Sequence, residues 1–428
     1  MPALRCLVSR RPDTRQAVRP DRHAPAWRWR VLLASLAVML ASGQTPAALA
    51  AAPATEARSV FAEPATAMPS PPEVAARAFI LQDLASRQTL AARQADQSLE
   101  PASLTKLMTA WLVCEALRDG KLRPDQMLPV SERAWKAGMA GASRSFLKAG
   151  GSARVDDLLR GMVVHNANDA TVALAEGLAG SVEAFVDRMN RQAEVFGLQA
   201  TRFRNPEGLS ASGHRSTARE LSLIAARLVT DFPEVLKVSS LQQATVAGVS
   251  QPSRNLLLMR DPTVDGLQTG YTEAAGYGMV ATARRSLGGV ERRLIAVTLG
   301  AASPEARAAE TQKLLNWGYS AFDMVRLFDA GQPVATAQVW KGQASTVRLG
   351  RPTPIVVVVP RGQGGQLQTS VVRQDPLMAP LGEGQTVARL RVAIGPQHWQ
   401  DVPLLALEDV PPAGWFGRLW DAVRLGVK

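Results

Sequence analysis

An apolar strand-like run at residues 78–84 stands far ahead of any partner it can pair with. Helical periodicity then dominates from Ser103 to about Leu236, clearest over 155–164, 169–178, 182–196 and 217–229. Strand patterns return only at 264–268, 277–283 and 293–299, and their short connections make them antiparallel neighbours. A helical pattern over about 304–328 closes this stretch. Strand, helices, strands and helix in that order predict one antiparallel sheet covered by helices, an α/β fold of the segregated α+β kind.

The pattern changes after Asp329-Ala-Gly-Gln-Pro333. Short β-like runs at 334–339, 355–359, 367–372, 387–394 and 402–407, separated by Gly and Pro, predict a small all-β domain over 329–410. Residues 76–328 form the first domain on this reading. The chain of 428 residues, 46% hydrophobic and 20% charged, has room for both.

Both ends have their own character. Residues 1–50 hold eight arginines against two aspartates, half of the formal net charge of +12. They continue into the apolar run Val31-Leu-Leu-Ala-Ser-Leu-Ala-Val-Met-Leu40 and the small residues Ala48-Leu49-Ala50. That order predicts a secretory signal, and the Ala/Pro-rich residues 51–75 predict a linker behind it. Cleavage near Ala50 removes Cys6 and leaves Cys114 alone, so no internal disulfide is expected. His23, His165, His214 and His398 show no metal-ligand spacing, and no metal or other cofactor is expected. Without a long positive block after residue 50, no nucleic-acid partner is expected either. In residues 411–428, Trp415, Phe416, Leu419, Trp420, Val423 and Val427 share one helical face, largely opposite Arg418, Asp421, Arg424 and Lys428. That distribution predicts an amphipathic helix lying on a membrane surface, in preference to a terminal helix docked on the β domain.

The chemistry is carried by Pro101-Ala-Ser-Leu-Thr-Lys106. Ser103 and Lys106 lie one helical turn apart, so hydroxyl and amine share a face. A serine hydroxyl needs an adjacent base, and a desolvated lysine can act as one where arginine cannot. The pattern S-x-x-K recurs at Ser145-Phe-Leu-Lys148, and by itself it usually marks a helix start with a solvated lysine. Context separates the two matches. Leu104, Leu107, Met108, Trp111 and Leu112 continue a buried stripe after Ser103, and Pro101 suits a helix start. Ser145 sits in a glycine-rich stretch without helical period and is read as non-catalytic.

With that motif placed, the chain from about Phe79 onward resembles the D-alanyl-D-alanine carboxypeptidases, the low-molecular-mass serine penicillin-binding proteins. Five further stretches carry the resemblance: Gly161-Met-Val-Val-His-Asn-Ala-Asn-Asp-Ala170, Asn205-Pro-Glu-Gly-Leu209, Ser216-Thr-Ala218, Val264-Asp-Gly-Leu-Gln-Thr-Gly270 and Ala275-Gly-Tyr277. The resemblance implies the serine DD-peptidase fold and a Ser103 acyl-enzyme with Lys106 as general base. It implies peptidoglycan stem peptides ending in D-Ala-D-Ala as substrate and β-lactams as covalent inhibitors. Asn168 matches the family asparagine that holds the lysine and the substrate backbone. Thr269 and Gly270 match the strand motif that binds the substrate carboxylate, and the backbone N–H groups of Ser103 and Tyr271 match the oxyanion hole.

Two positions depart from that pattern. Asn166 stands where the family has a serine hydroxyl, and Gln268 where it has a lysine. A charged hydrogen bond is worth about 1.5–3 kcal/mol against about 0.5–1.5 for a neutral one, so the glutamine implies a weaker grip on the carboxylate. Arg254 is the one upstream cation the sequence offers in compensation. An active carboxypeptidase is therefore expected, with a binding protein of low turnover as the alternative. A β-lactamase, for which Glu207 is the nearby carboxylate, is a more distant reading. The expected location is the periplasmic face of the inner membrane, with the C-terminal helix as peripheral anchor.

Overall fold

The computed structural model describes residues 69–426 apart from 141–142 and 288–289, so the expected signal and most of the expected linker lie outside the described residues. Its centre is a five-stranded antiparallel sheet in the order Thr89–Arg93, Ala78–Asp83, Val290–Ala301, Gly276–Leu287, Val264–Thr272. Every residue of Ala78–Asp83 is buried, because helices cover both faces of the sheet. The strands divide their side chains by the alternation of the pleat. Ile80, Val280, Ile295 and Val297 pack into the core that holds the helix Lys106–Arg118. Phe79, Leu81, Met279, Leu294 and Ala296 pack on the other side against Leu314, Leu315 and Tyr319 of the helix Pro304–Ser320.

The helices follow the sequence patterns closely. Val155–Val164, Asn168–Ala179, Val182–Val195 and Ala218–Asp231 lie within a residue or two of their expected bounds. Thr217 caps the last of these by accepting from the Glu220 N–H at 3.1 Å. The helix Lys106–Arg118 goes beyond its predicted stripe. Ala110, Val113 and Cys114 are buried as well as Leu107, Met108, Trp111 and Leu112, and Lys106 is only 1% exposed. It runs through the core, surrounded on every side.

Two expectations need correction. The closing helix stops at Ser320, and Phe322–Phe328 is a strand paired antiparallel with Ile355–Pro360. The apolar residues of 322–328 suit either period, and the wholly apolar partner strand decides between them. At the other end, the last residues assigned to the linker are attached to the domain. Val74 is buried, the Ala75 N–H donates to Glu310 Oε2 at 3.0 Å, and Lys313 Nζ donates to the Glu73 carbonyl at 2.9 Å.

The C-terminal region is all β. A six-stranded sheet runs Leu367–Arg373, Thr386–Ile394, Gln397–Ala406, Thr346–Gly350, Ala335–Trp340, Leu377–Met378, of which Thr346–Gly350 and Leu377–Met378 were not foreseen. Val347, Val357, Leu390, Trp399 and Leu404 form its core. The helix Trp415–Gly426 then touches this region with its polar side. Asp421 Oδ2 accepts from the Lys341 N–H at 2.7 Å, and the Arg424 guanidinium lies 5.8 Å from the Trp340 ring centre. Trp415, Phe416, Leu419, Trp420 and Val423 all remain more than half exposed. No helix among the described residues is long and apolar enough to cross a membrane.

Candidate active site

Ser103 is presented on a short 3₁₀ turn, Ala102–Thr105, that feeds directly into the helix Lys106–Arg118. Ala102 has φ +50°, a left-handed conformation that costs an alanine about 1–2 kcal/mol. Two glycines hold it there. A Cβ on Gly208 would lie 1.9 Å from the Ala102 carbonyl oxygen, and one on Gly270 would lie 3.2 Å from both the Pro101 carbonyl oxygen and the Ser103 nitrogen. The glycine of Asn205-Pro-Glu-Gly-Leu209 and that of Gln268-Thr-Gly270 thus press on the turn from two directions.

Lys106 Nζ has three polar neighbours: Ser103 Oγ at 2.9 Å, Asn168 Oδ1 at 2.8 Å and the Glu207 carbonyl at 2.7 Å. Burial lowers its pKa to about 7, against the opposing pull of Glu207 and Asp169. A neutral amine has two N–H groups and one lone pair. The Asn168 and Glu207 oxygens can only accept, so they take the two N–H groups and leave the lone pair facing the Ser103 hydroxyl. That arrangement favours proton transfer from serine to lysine. The Glu207 carboxyl is also buried, and desolvation first of all raises its pKa.

The opposite wall is Val264–Thr272, an edge strand of the sheet. Asn166, at φ +59°, donates from Nδ2 to the Thr269 carbonyl at 3.0 Å, while its buried Oδ1 has no partner among the described residues. Alternation along the strand sends the N–H of Tyr271 to the same side as the Thr269 carbonyl, the side that Asn166 meets. The Tyr271 side chain is half exposed and stacks on Tyr277 with ring centres 4.3 Å apart. Gln268 is buried, and both ends of its amide meet backbone: Nε2 donates to the Met162 carbonyl at 3.4 Å, and Oε1 accepts from the Thr269 N–H at 2.9 Å. Thr269 is 2% exposed beside it.

The structure adds a cation that sequence reasoning missed. Arg307, buried in the helix Pro304–Ser320, donates from Nη1 to the Gly270 carbonyl at 3.3 Å and the Gly278 carbonyl at 3.4 Å. Nη2 donates to the Arg254 carbonyl at 3.2 Å, and Nε has no partner among the described residues. Desolvation lowers its pKa to about 10, so it remains charged at neutral pH. Arg254, the cation named from sequence, contributes a carbonyl to Arg307. The available signal was an arginine on the same helical face as Ala308, Thr311, Leu314 and Leu315, all of them buried.

Ser145 is enclosed. Its hydroxyl lies 3.0 Å from His165 Nδ1, its N–H donates to the Asp169 carboxylate at 2.9 Å, and its exposure is zero. Lys148 is exposed. His165 Nε2 meets the Ala244 carbonyl at 2.8 Å, so the pair braces the loop ahead of Asn166 from inside the core.

A serine beside a buried, deprotonatable lysine, against the edge strand of a sheet, defines the class of serine acyl-transfer enzymes. The comparisons narrow the class. The D-alanyl-D-alanine carboxypeptidase family model matches residues 65–303, and that of the penicillin-binding protein 5 C-terminal domain matches residues 322–412. The chain is 40% identical to the D-alanyl-D-alanine carboxypeptidase DacC of Escherichia coli K12 over 359 residues, covering 83% of this chain and 89% of that protein. Penicillin-binding protein 5 of Haemophilus influenzae superposes with a TM-score of 0.74 at 35% identity, covering 80% of this chain and 99% of the other. Penicillin-binding protein D2 of Listeria monocytogenes in its ampicillin-bound form gives 0.51 at 33% identity, covering 59% and 100%. The chain belongs to the D-alanyl-D-alanine carboxypeptidase family.

Proposed function

We propose that this protein removes the terminal D-alanine from peptidoglycan stem peptides through an acyl-enzyme on Ser103, and that β-lactams acylate the same hydroxyl. The observation that carries this reading is the Lys106 amine, desolvated to a pKa of about 7 and 2.9 Å from Ser103 Oγ. Lys106 takes the hydroxyl proton as Oγ attacks the carbonyl of the penultimate D-alanine. The oxyanion forms between the N–H groups of Ser103 and Tyr271. The C–N bond then breaks, the proton passes from Lys106 to the departing D-alanine amine, and water later hydrolyses the ester. With a β-lactam, the leaving nitrogen stays tethered within the acyl group.

Asn168 holds Lys106 and, with the edge strand, aligns the peptide. Thr269 and Gly270 border the terminal carboxylate, and Arg307 supplies the positive charge that Gln268 lacks. Asn166 spans the cleft to Thr269 but offers no hydroxyl for proton relay, which favours a lowered rate as the second reading. The exposed aromatic stripe of Trp415–Gly426, with its polar side on the β region, supports a peripheral membrane anchor. The order of residues 1–50 supports export, and together they support a location at the periplasmic face of the inner membrane.

Incubation with ampicillin followed by peptide mass spectrometry tests the nucleophile, and D-alanine release from a D-Ala-D-Ala peptide tests turnover. An adduct on Ser103 with release supports the enzyme. An adduct without release supports the low-turnover reading, and no adduct on Ser103 refutes both.

A further inference from the structure

A groove of about 1770 Å³, sharing no residue with the site around Ser103, runs between the peptidase sheet and the C-terminal β region. The turn after Ala78–Asp83 and the helices Ala218–Asp231 and Val235–Ser239 line one side, and residues 353–356 and 398–403 line the other. Eight Lys and Arg side chains border it, against three carboxylates. Those carboxylates are already engaged. Asp265 takes Arg293 in a two-pronged pair at 2.7 and 2.8 Å, Glu291 lies 3.3 Å from Arg284, and Asp401 lies 3.0 Å from His398 Nε2. Arg326 pairs with Asp329 at 3.2 Å. Arg87, Arg227, Lys237, Arg351 and Arg389 are left with no carboxylate partner among the described residues.

Arg87 repels two of the others. Desolvation and then repulsion from Arg227 lower the pKa of Arg87, and desolvation and then Arg87 do the same to Arg351. Arginine keeps its proton under such pressure, so the positive charges stay crowded. The central one, Arg87, sits at φ +59° in the hairpin turn between Ala78–Asp83 and Thr89–Arg93. Leu84, Leu223, Ile355 and Trp399 give the same groove an apolar lining.

We propose that this groove binds a phosphoryl-bearing anion, with Arg87, Arg227 and Arg351 around the phosphoryl group and the apolar lining against the rest of the ligand. A carboxylate brings one charge and two acceptor oxygens. A phosphoryl group brings close to two charges and three, which suits several converging guanidinium forks. The phosphoryl group can come from a soluble phosphate chain or from a lipid headgroup, and the lining accommodates the acyl portion of the latter.

Titration calorimetry of the full chain at low ionic strength tests this. Tripolyphosphate and dihexanoyl phosphatidic acid serve as probes, and citrate and dihexanoyl phosphatidylcholine as controls. At least one phosphoryl probe binds the native protein, at least tenfold more weakly after Arg87→Gln with Arg351→Gln, and more tightly than its control. Preference for tripolyphosphate identifies a soluble phosphate chain, and preference for phosphatidic acid a lipid headgroup. Citrate matching tripolyphosphate with phosphatidylcholine matching phosphatidic acid, binding untouched by the double substitution, or no binding of either probe overturns the proposal. Acylation of Ser103 by ampicillin at the native rate shows that the variant is folded. Should the double variant fail that check, Arg227→Gln, exposed on its helix, is read by the same criteria.

Discussion

Two segments of this chain carry the same four-residue pattern, and the protein treats them in opposite ways. At Ser103 the serine is half-buried and the lysine 1% exposed, while at Ser145 the serine is sealed in the core and the lysine exposed. A nucleophile must be reachable and its base desolvated. Only the first segment meets both conditions, because its lysine begins a helix that runs through the core. At the second, the glycine-rich approach leads the serine inward to His165 and leaves Lys148 in water. Spacing is shared between them, and burial separates them.

The largest expected effect breaks the comparison outright if it fails. Ser103→Ala abolishes both ampicillin labelling and D-alanine release, whereas Ser145→Ala leaves labelling near the native level; label retained on the Ser103 variant would overturn the assignment. Lys106→Arg comes next. It fixes a permanent positive charge and removes the base, so acylation falls by about 10²–10⁴-fold, the usual weight of general-base catalysis. Stopped-flow acylation by a chromogenic β-lactam measures it.

Titration sharpens the same point. Lys106 acts when deprotonated, so the acylation rate rises about tenfold per pH unit up to about 7 and then levels off. Stability follows the same linkage. The folded pKa lies below the ordinary lysine value of 10.5, so between about 7 and that value the unfolded chain binds the extra proton. The Lys106 contribution to stability therefore grows as pH rises through that window. A rate profile flat from pH 5 to 8 would remove lysine from the role of base.

Arg307 is the counterpart that is desolvated yet still charged. Arg307→Gln lowers kcat/KM for a D-Ala-D-Ala peptide by about tenfold, the size of one charge-assisted hydrogen bond. With Arg307 present, Gln268→Lys raises it by less than about tenfold. A full tenfold gain from the lysine together with no loss at Arg307 would show that the carboxylate depends on position 268 alone. The smallest effect belongs to the sealed segment. Ser145→Ala removes a buried hydrogen bond worth about 1 kcal/mol and lowers Tm by about 2–4 °C, read by calorimetry, without altering acylation.

Much of this was legible in the sequence. Periodicity located four of the helices within a residue or two and three of the central strands up to four residues short of their ends, because amphipathic elements write their period into the chain. The helical stripe after Ser103 distinguished it from Ser145 before any contact was known. The strand at Phe322–Phe328 was misread as helix, because its residues suit either period and the partner that decides lies at Ile355–Pro360. Thr346–Gly350 was missed because it is short and half polar.

What the sequence determined by itself was the identity and spacing of Ser103 and Lys106 and the elements that carry them. What only the tertiary structure decided was their state. The pKa of Lys106 depends on the removal of water by a core assembled from the whole domain, and its lone pair is aimed by oxygens from Asn168 and Glu207, distant along the chain. Arg307 reaches the Gly270 carbonyl only because the helix Pro304–Ser320 packs beneath the sheet. Desolvation and convergence belong to the assembled domain, and a local pattern fixes neither.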